Sequence, residues 1–152
     1  MKTKMLKAKK VYLATPVGDP TETIIRMNAE QVKKILESKG FEVYAPWQMH
    51  ISRAWDYPNQ EWGLMVFTAD LQHLQECDIV VVLSYGRIGT AGTAWEQGFA
   101  YAEGKKILVV EMNDNIQSLM VANGTNATIK FKDLDSYDFE KFPYCRTSTE
   151  QK

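Results

Sequence analysis

The sequence predicts an α/β protein, in which one doubly wound domain holds a five-stranded, mostly parallel sheet with helices on both faces. The chain has 152 residues, 45% of them apolar and 24% charged, which suits one globular domain. Short β-branched runs alternate with segments of helical periodicity along the chain. The most apolar run, residues 78–83, shows no polar alternation, as expected of a central strand covered on both faces. This pattern favours a Rossmann-like or flavodoxin-like sheet.

The first half of the chain supplies two strands and two helices. Residues 10–15 form an aliphatic run that predicts the first strand. Asp19-Pro20-Thr21-Glu22 carries the signals of a helix start, and helical spacing continues until Gly40 ends it. Residues 41–45 predict the second strand, and residues 47–60, which have no clear period, predict a functional loop. A second helix is expected at residues 62–75, with an inner side made of Leu64, Met65, Phe67, Leu71 and Leu74.

The second half continues the alternation. The central strand at residues 78–83 is followed by a glycine-punctuated loop, residues 85–92. The remaining predicted elements are a helix at about residues 93–103, a strand at 106–110, a short helix at 116–121 and a fifth strand at 128–131. We therefore expect a basic leader at residues 1–9, one domain at residues 10–143 and a tail at residues 144–152.

Composition excludes several classes of function. The formal net charge is −1, and the longest aliphatic run is far shorter than the roughly 20 residues that span a bilayer, so neither nucleic-acid nor membrane binding is expected. The lysine-rich start lacks the apolar segment of a secretory signal, which favours a cytoplasmic location. Cys77, Cys145, His50 and His73 are isolated in the sequence, so we expect no metal site and idle thiols.

Parallel α/β sheets bind ligands outside the carboxyl ends of their strands, where the strand order reverses. In this chain that rule gathers four loops around one crevice: residues 15–21, 46–60, 84–93 and 111–118. Polar residues in these loops are the first candidates for a site.

The strongest local feature is the segment from Gly89 to Gly98. Its glycines, Gly92 among them, let the backbone approach a ligand closely, and the expected helix start favours anionic groups. It is neither a GxGxxG fingerprint nor a P-loop. The stretch Thr93-Ala-Trp-Glu96 also fits a capping box, so from the pattern alone Glu96 is either a helix cap or a catalytic carboxylate. Asp70 is by itself typical of a solvated helix charge, and Tyr12 of a core residue with a hydroxyl to satisfy.

A set of motifs, in the expected order from residue 10 to 143, resembles the nucleoside 2-deoxyribosyltransferase family. Val11-Tyr-Leu-Ala-Thr-Pro16 is similar to its first-strand signature, and Asp70-Leu71 to the Asp-Leu pair of its second helix. Gly92-Thr-Ala-Trp-Glu-Gln-Gly98 resembles the stretch that leads to its catalytic glutamate. Ser118-Leu-Met120 falls where the family usually has Asn-Leu-Met, and Tyr137-Asp-Phe139 also fits.

The resemblance implies roles for specific residues. Glu96 would attack the anomeric carbon of a 2′-deoxynucleoside and form a covalent deoxyribosyl ester, which a free purine or pyrimidine base then attacks, with overall retention. Asp70 would bind the departing base and donate a proton to it. Tyr12 would hold the Glu96 carboxylate, and Gln48 would contact the base. It also implies no cofactor, and a homo-oligomer in which neighbouring subunits share active sites.

Two departures from the family pattern leave alternatives open. Thr90 stands where the transferases commonly have a second Asp, and Ser118 where they have the Asn that reaches a neighbour's substrate. A hydroxyl at position 90 resembles the related 2′-deoxynucleoside 5′-monophosphate N-glycosidases, in which water replaces the acceptor base. Donors for a 5′-phosphate would be Ser84, Arg87, Gly89 and Ser118. The third possibility is a nucleotide-binding module in which Glu96 only caps a helix.

Overall fold

A computed structural model describes residues 9–16, 23–48, 53–87 and 91–143. Five strands form a single sheet in the order β2-β1-β3-β4-β5, and every neighbouring pair is parallel. The strands are β1 (Lys10–Ala14), β2 (Glu42–Tyr44), β3 (Ile79–Ser84), β4 (Lys106–Glu111) and β5 (Ala127–Lys130). The strand order reverses between β1 and β3, which is the switch point of a flavodoxin-like sheet.

Four helices connect the strands: α1 (Thr23–Ser38), α2 (Asn59–Glu76), α3 (Ala91–Ala102) and α4 (Leu119–Asn123). Short 3-10 turns at Pro46–Gln48, Ala54–Asp56, Phe131–Asp133 and Phe139–Lys141 complete the described elements. None of the helices within the described ranges is long and apolar enough to cross a membrane.

The sheet separates two hydrophobic cores. All six residues of β3 are buried, because its side chains supply both cores in alternation. One core packs Ala29, Val32 and Leu36 of α1 against the sheet, together with aromatic side chains near the carboxyl end of the described chain. The other core joins Leu74 of α2 and Ala100 of α3 to the opposite face. The helices α2 and α3 therefore lie side by side on one face of β1.

The predicted fold class is confirmed, and all five strands occur close to their expected positions. The sheet is parallel throughout the described strands. The basic leader up to residue 8, the expected helix start at Asp19–Glu22 and the tail from residue 144 lie outside the described residues. The expected functional loop at 47–60 is interrupted by two 3-10 turns, and α2 already begins at Asn59.

The predicted inner face of α2 was wrong for three of its five residues, whereas Leu74 is buried and Leu71 half-buried as expected. Leu64, Met65 and Phe67 are exposed, and Leu74 is the only residue of the helix that is fully buried. Apolar side chains occur all round α2, so the pattern contains no single stripe from which the inner face could be identified. The side of α2 that carries Leu74 packs against the sheet, and the apolar residues on its other side remain in contact with solvent.

The predicted capping box was also wrong. The third helix begins at Ala91, two residues earlier than expected, so Thr93 lies inside its first turn and cannot be the residue that precedes the helix. Glu96 Oε2 has no hydrogen-bond partner, which leaves the proposed return bond to the helix start unmade. The structural explanation for Glu96 therefore falls away.

The loop after β3 is fastened to the loop after β4. Gly86 has φ +85°, and a Cβ there would lie 2.5 Å from the Cβ of Asn115. The side chains of Asn113 and Asn115 both donate to the carbonyl oxygen of Tyr85, each at 3.3 Å. Glycine is needed at this position both for its backbone angle and for the close approach of the two loops.

Candidate active site

Glu96 lies on α3 with its carboxylate turned into the protein. Its Oε2 is buried and has no hydrogen-bond partner within the part of the chain that the structure describes. Burial is the main cause that raises the pKa of the Glu96 carboxyl to about 7; the Tyr12 hydroxyl acts against this shift, and the charge of Asp70 adds to it. A carboxylate with this pKa is ionised in about half of the molecules at neutral pH, and an ionised carboxylate is a competent nucleophile.

Tyr12 approaches Glu96 from the middle of β1. The side chain is completely buried, and its hydroxyl also has no hydrogen-bond partner among the described residues. Burial, followed by the charge of Glu96, raises the pKa of the phenol, so Tyr12 stays protonated and can act only as a neutral donor towards the carboxylate. The two groups affect each other's pKa but do not reach the geometry of a formed hydrogen bond. The contact is therefore electrostatic.

Asp70 is not the solvated helix charge that its isolated position suggests. Its carboxylate accepts a hydrogen bond from the Tyr44 hydroxyl, with 2.8 Å between Tyr44 Oη and Asp70 Oδ1. Burial raises the pKa of Asp70, while the Tyr44 hydrogen bond and the charge of His73 both lower it. Asp70 is thus held in a partly buried, structured environment, which is where a carboxyl can serve as a proton donor.

Tyr12, Tyr44, Asp70 and Glu96 form one group, which we call the carboxylate cluster. Two strands and two helices bring them together. Tyr12 and Tyr44 are register partners on the parallel strands β1 and β2, with ring centroids 5.5 Å apart. The helices α2 and α3 pack side by side on that face and supply one carboxyl each.

The two carboxyls line a common cleft of about 400 Å³ between α2 and α3. Its other lining residues are mostly apolar: Phe67, Leu71, Leu74, Ala91, Gly92 and Trp95. The Phe67 and Trp95 rings meet edge to face, with centroids 5.4 Å apart. An apolar cleft with a few convergent polar groups is the usual form of a small-molecule site, and its aromatic wall can stack on a planar ring.

The other residues predicted for the site are distributed differently. Gly92 lies in the first turn of α3, lines the cleft and has open space where a Cβ would be. Arg87 is exposed in the loop after β3 and does not line this cleft. Gln48 ends the 3-10 turn after β2, but its side chain lies outside what the structure describes, as does Thr90.

Ser118 lies apart from the carboxylate cluster in the single chain. Its hydroxyl caps α4 by accepting a hydrogen bond from the Val121 backbone N–H, at 3.3 Å. It lines a second groove, of about 480 Å³, between α3 and α4. The exposed side chains of Tyr101 and Met120 lie along the same groove.

Sequence reasoning missed Tyr44, whereas Ser84 was among its proposed phosphate donors and Thr15 lay in one of its candidate loops. Thr15 and Ser84, at the carboxyl ends of β1 and β3, are buried, and the structure gives their hydroxyl oxygens no hydrogen-bond partner among the described residues. The signal for Tyr44 was available in principle, because parallel pairing of β1 with β2 places it beside Tyr12. Using that signal requires the strand register, which the sequence alone does not provide.

Gln97, the neighbour of Glu96, serves a different purpose. It is buried, and its side-chain N–H groups donate to the carbonyl oxygens of Val121 and Gly124 at 2.9 and 2.8 Å. These carbonyls end α4, where no backbone donor of the helix remains to pair with them. We call this contact the α3–α4 joint.

Within residues 9–16, 23–48, 53–87 and 91–143, three or more His, Cys, Asp or Glu side chains nowhere gather in a group that could hold a metal ion. Cys77 is a free, buried thiol, whose pKa burial raises to about 11, so it is not poised as a nucleophile.

Comparisons with solved structures agree with this geometry. A 2-deoxyribosyltransferase from Bacillus psychrosaccharolyticus is 26% identical, with a TM-score of 0.76 over 91% of this chain and 98% of that one. At 24% and 21% identity, a CMP N-glycosidase from Clostridium botulinum and a 2-desoxiribosyltransferase from Leishmania mexicana share the fold. Their TM-scores are 0.60 and 0.59, over 85% and 89% of this chain and 100% and 99% of theirs. No curated protein matches the sequence.

The family model for nucleoside 2-deoxyribosyltransferase matches residues 11–140, which include all four members of the carboxylate cluster. The match agrees with the family resemblance of the sequence motifs and with the fold shared by the solved transferases. The chain belongs to the nucleoside 2-deoxyribosyltransferase family.

Proposed function

We propose that the protein exchanges the base of a 2′-deoxynucleoside for a free purine or pyrimidine base, through a covalent deoxyribosyl ester on Glu96. The observation that carries this proposal is the Glu96 carboxylate, which lines the same cleft as Asp70 and whose buried Oε2 has no hydrogen-bond partner among the described residues. A structural glutamate would have a partner, since a buried polar group without one costs free energy. Family membership supports the same class of reaction, glycosyl transfer or N-glycoside cleavage.

The reaction divides into two displacements at the anomeric carbon. In the first, a Glu96 oxygen forms a bond to C1′ while the C1′–N bond breaks, and the bonding electron pair leaves with the base. The Asp70 carboxyl binds the departing base and passes its proton to a ring nitrogen. In the second, a nitrogen of the acceptor base attacks C1′, the ester bond breaks and its electron pair returns to Glu96 as a carboxylate. The proton of the attacking nitrogen passes to Asp70, which is thereby restored as the acid. Two inversions give overall retention.

Tyr12 and the cleft walls would support both steps. The Tyr12 phenol, kept protonated by its surroundings, would fix the Glu96 carboxylate for attack. Gly92 would let the sugar approach the helix backbone, because no side chain occupies that space. Gln48 on the loop after β2 is proposed to contact the base. No cofactor enters either step, because the carboxylate itself carries the sugar between the two bases.

The proposal is tested by incubating thymidine with the enzyme, with and without adenine, and separating the products by chromatography. Deoxyadenosine should form with the wild-type protein, and Glu96→Ala should reduce its rate by about 10³-fold or more, because the covalent route is lost. Glu103→Ala, at an exposed glutamate just beyond α3, is the matched control and should keep the wild-type rate. Wild-type turnover by Glu96→Ala with native circular dichroism would refute the mechanism.

The second candidate is hydrolysis of a 2′-deoxynucleoside 5′-monophosphate, and the residue that favours it is Thr90, in place of the Asp common in the transferases. Ser84, Arg87 and Ser118 are its proposed phosphate donors. The same assay separates the two activities: base released from a deoxynucleotide without any acceptor supports the hydrolase. Saturable binding without base release in either assay would favour a non-catalytic module instead.

We also propose that the protein is a homo-oligomer that shares its active sites between subunits. Support comes from the groove between α3 and α4, where Tyr101 and Met120 are 64% and 84% exposed, since apolar patches of this kind mark interaction surfaces. Ser118 would then face the substrate of the neighbouring subunit. Light scattering should give a multiple of 17.4 kDa for the wild type and a smaller mass for Met120→Asp. A monomeric wild type would refute this.

A further inference from the structure

We propose that Tyr44 is a positioning residue for the proposed reaction: it holds Asp70 so that the acid's proton resides on Oδ2 and is available to the base in the cleft. The inference rests on the proposed function for its catalytic meaning. Its structural part, that Tyr44 sets the orientation and the proton affinity of Asp70, can be tested without any activity.

The hydrogen bond between Tyr44 and Asp70 has a defined direction. An ionised carboxylate is only an acceptor, so the Tyr44 hydroxyl is the donor in the 2.8 Å contact with Asp70 Oδ1. Burial and the bond to Asp70 raise the pKa of the Tyr44 phenol, so the hydroxyl keeps its hydrogen. Since one hydroxyl has one hydrogen, and Oδ1 is its acceptor, the proton that Asp70 takes up is left to Oδ2.

The Tyr44 ring is itself held in place by two neighbouring rings. The His73 ring stacks on it, with centroids 3.6 Å apart and 9° between the planes. The Tyr12 ring packs against it at 5.5 Å. Asp70 and His73 are three residues apart on α2, so they lie on one face of the helix and contact the hydroxyl and the ring of the same tyrosine. Tyr44 therefore ties the orientation of Asp70 to β2 and β1.

The position of the Asp70 carboxyl matters for the proposed reaction, in which Asp70 is the general acid. A general acid must present its proton within hydrogen-bond reach of the leaving nitrogen, and a misplacement of about 1 Å can cost about 100-fold in rate. Asp70 lies on a half-buried part of α2, between Ala69 and Leu71, and among the described residues the Tyr44 hydroxyl is its hydrogen-bond partner. Without that hydroxyl, both carboxyl oxygens could carry the proton and the side chain could turn away from the cleft.

Other titratable groups surround Tyr44 and Asp70. Glu96 on α3 and Tyr12 on β1 interact electrostatically with Tyr44 or Asp70, and His73 does so from α2 itself. Beyond the stacked rings, a small cavity of about 130 Å³ adds Lys10, Glu42 and Glu76 to the neighbourhood of Tyr44 and His73. The substitution Tyr44→Phe changes none of these groups and keeps the aromatic stack.

The experiment compares wild type and Tyr44→Phe, with Tyr137→Phe as the matched control. Tyr137 is a partly buried tyrosine packed among other rings on the opposite face of the sheet, so its variant also loses one phenol hydroxyl. The pKa of Asp70 is read by carbon-13 NMR titration of labelled aspartates, with the signal assigned from Asp70→Asn. Base exchange is measured over a range of pH, and circular dichroism checks that each variant is folded.

We expect Tyr44→Phe to raise the pKa of Asp70, because the hydroxyl stabilises the ionised form. The rate constant kcat should fall about 10- to 100-fold with KM within about 2-fold of wild type, and the alkaline limb of the pH profile should move to higher pH. Tyr137→Phe should change none of these quantities.

An unchanged Asp70 pKa in folded Tyr44→Phe would overturn the inference, as would a loss of rate without movement of the pH profile, which marks a merely structural role. If the wild type exchanges no bases at all, the proposed function fails, while the NMR titration still decides whether Tyr44 controls Asp70.

Discussion

Two buried polar regions meet on α3, and they are built in opposite ways. Gln97 in the α3–α4 joint places both side-chain N–H bonds on carbonyl oxygens that end a helix. Its neighbour Glu96 keeps a buried, unpartnered carboxylate oxygen in the carboxylate cluster. The Oε1 atom of Gln97 is also unpartnered, but a neutral amide oxygen is much less costly to bury than a charged one.

The difference separates a polar group that holds the fold together, Gln97, from one that we propose is available to a ligand, Glu96. Hydrogen bonds such as those of Gln97 stabilise the native state by satisfying groups that would otherwise be unpaired. A buried carboxylate oxygen without a hydrogen-bond partner destabilises the native state. The free-energy cost of burying the charge appears as the raised pKa of Glu96. Because Glu96 and Gln97 are adjacent on α3, the effects of substituting each can be compared within one turn of the same helix.

The largest expected effect on stability is at Glu96. Its folded pKa of about 7 exceeds the ordinary value of 4.5, so folding becomes less favourable as pH rises from 4.5 to 7 and the loss is complete above 7. At about 1.4 kcal/mol per pKa unit, the loss is at most about 3.5 kcal/mol. Glu96→Gln carries no charge at any pH, so we expect it to be more stable than the wild type at pH 8 and equally stable at pH 4.

This difference can be measured by urea unfolding at several pH values between 4 and 8. Glu103→Gln, at an exposed glutamate near the end of the same helix, serves as the control and should show no comparable pH dependence. A Glu96→Gln stability difference that is the same at pH 4 and pH 8 would mean that the carboxylate is not strained by burial. The contrast between the two regions would then be lost.

Periodicity was sufficient for the order of the strands and helices, because each element has its own local signal. It was insufficient for α2, where apolar residues such as Leu64 and Phe67 surround the helix and no local rule identifies the buried side. The capping box failed for a related reason, since its four-residue pattern does not by itself determine where the helix begins, and α3 starts at Ala91.

The site was predictable only in part. Family motifs identified Glu96, Asp70 and Tyr12, and the structure brings all three to one place. Tyr44 carries no motif, because its importance comes from lying opposite Tyr12 in the sheet and beside Asp70 across the fold. Such a role depends on strand register and helix orientation together, which a single sequence does not specify.

The smaller expected effect is at Gln97. The substitution Gln97→Leu removes the donors to Val121 and Gly124, so two helix-end carbonyls lose their partners. We expect a loss of about 2 kcal/mol in the free energy of unfolding, measured in urea, because unpaired groups cost about 1–3 kcal/mol. Gln72→Leu, at an exposed glutamine bonded only to Glu76 on the same helix, is the control and should stay within about 0.5 kcal/mol of wild type.

Gln97→Leu should lower the free energy of unfolding while leaving turnover largely unchanged. Its loss of stability should be independent of pH, because no titratable group is removed, and the folded enzyme should keep most of its activity. Glu96→Gln should show the reverse, a gain of stability at high pH with loss of turnover. If Gln97→Leu instead abolished turnover without destabilising the fold, Gln97 would belong to the active site, and its hydrogen bonds to the α4 carbonyls would not mark it as a structural residue.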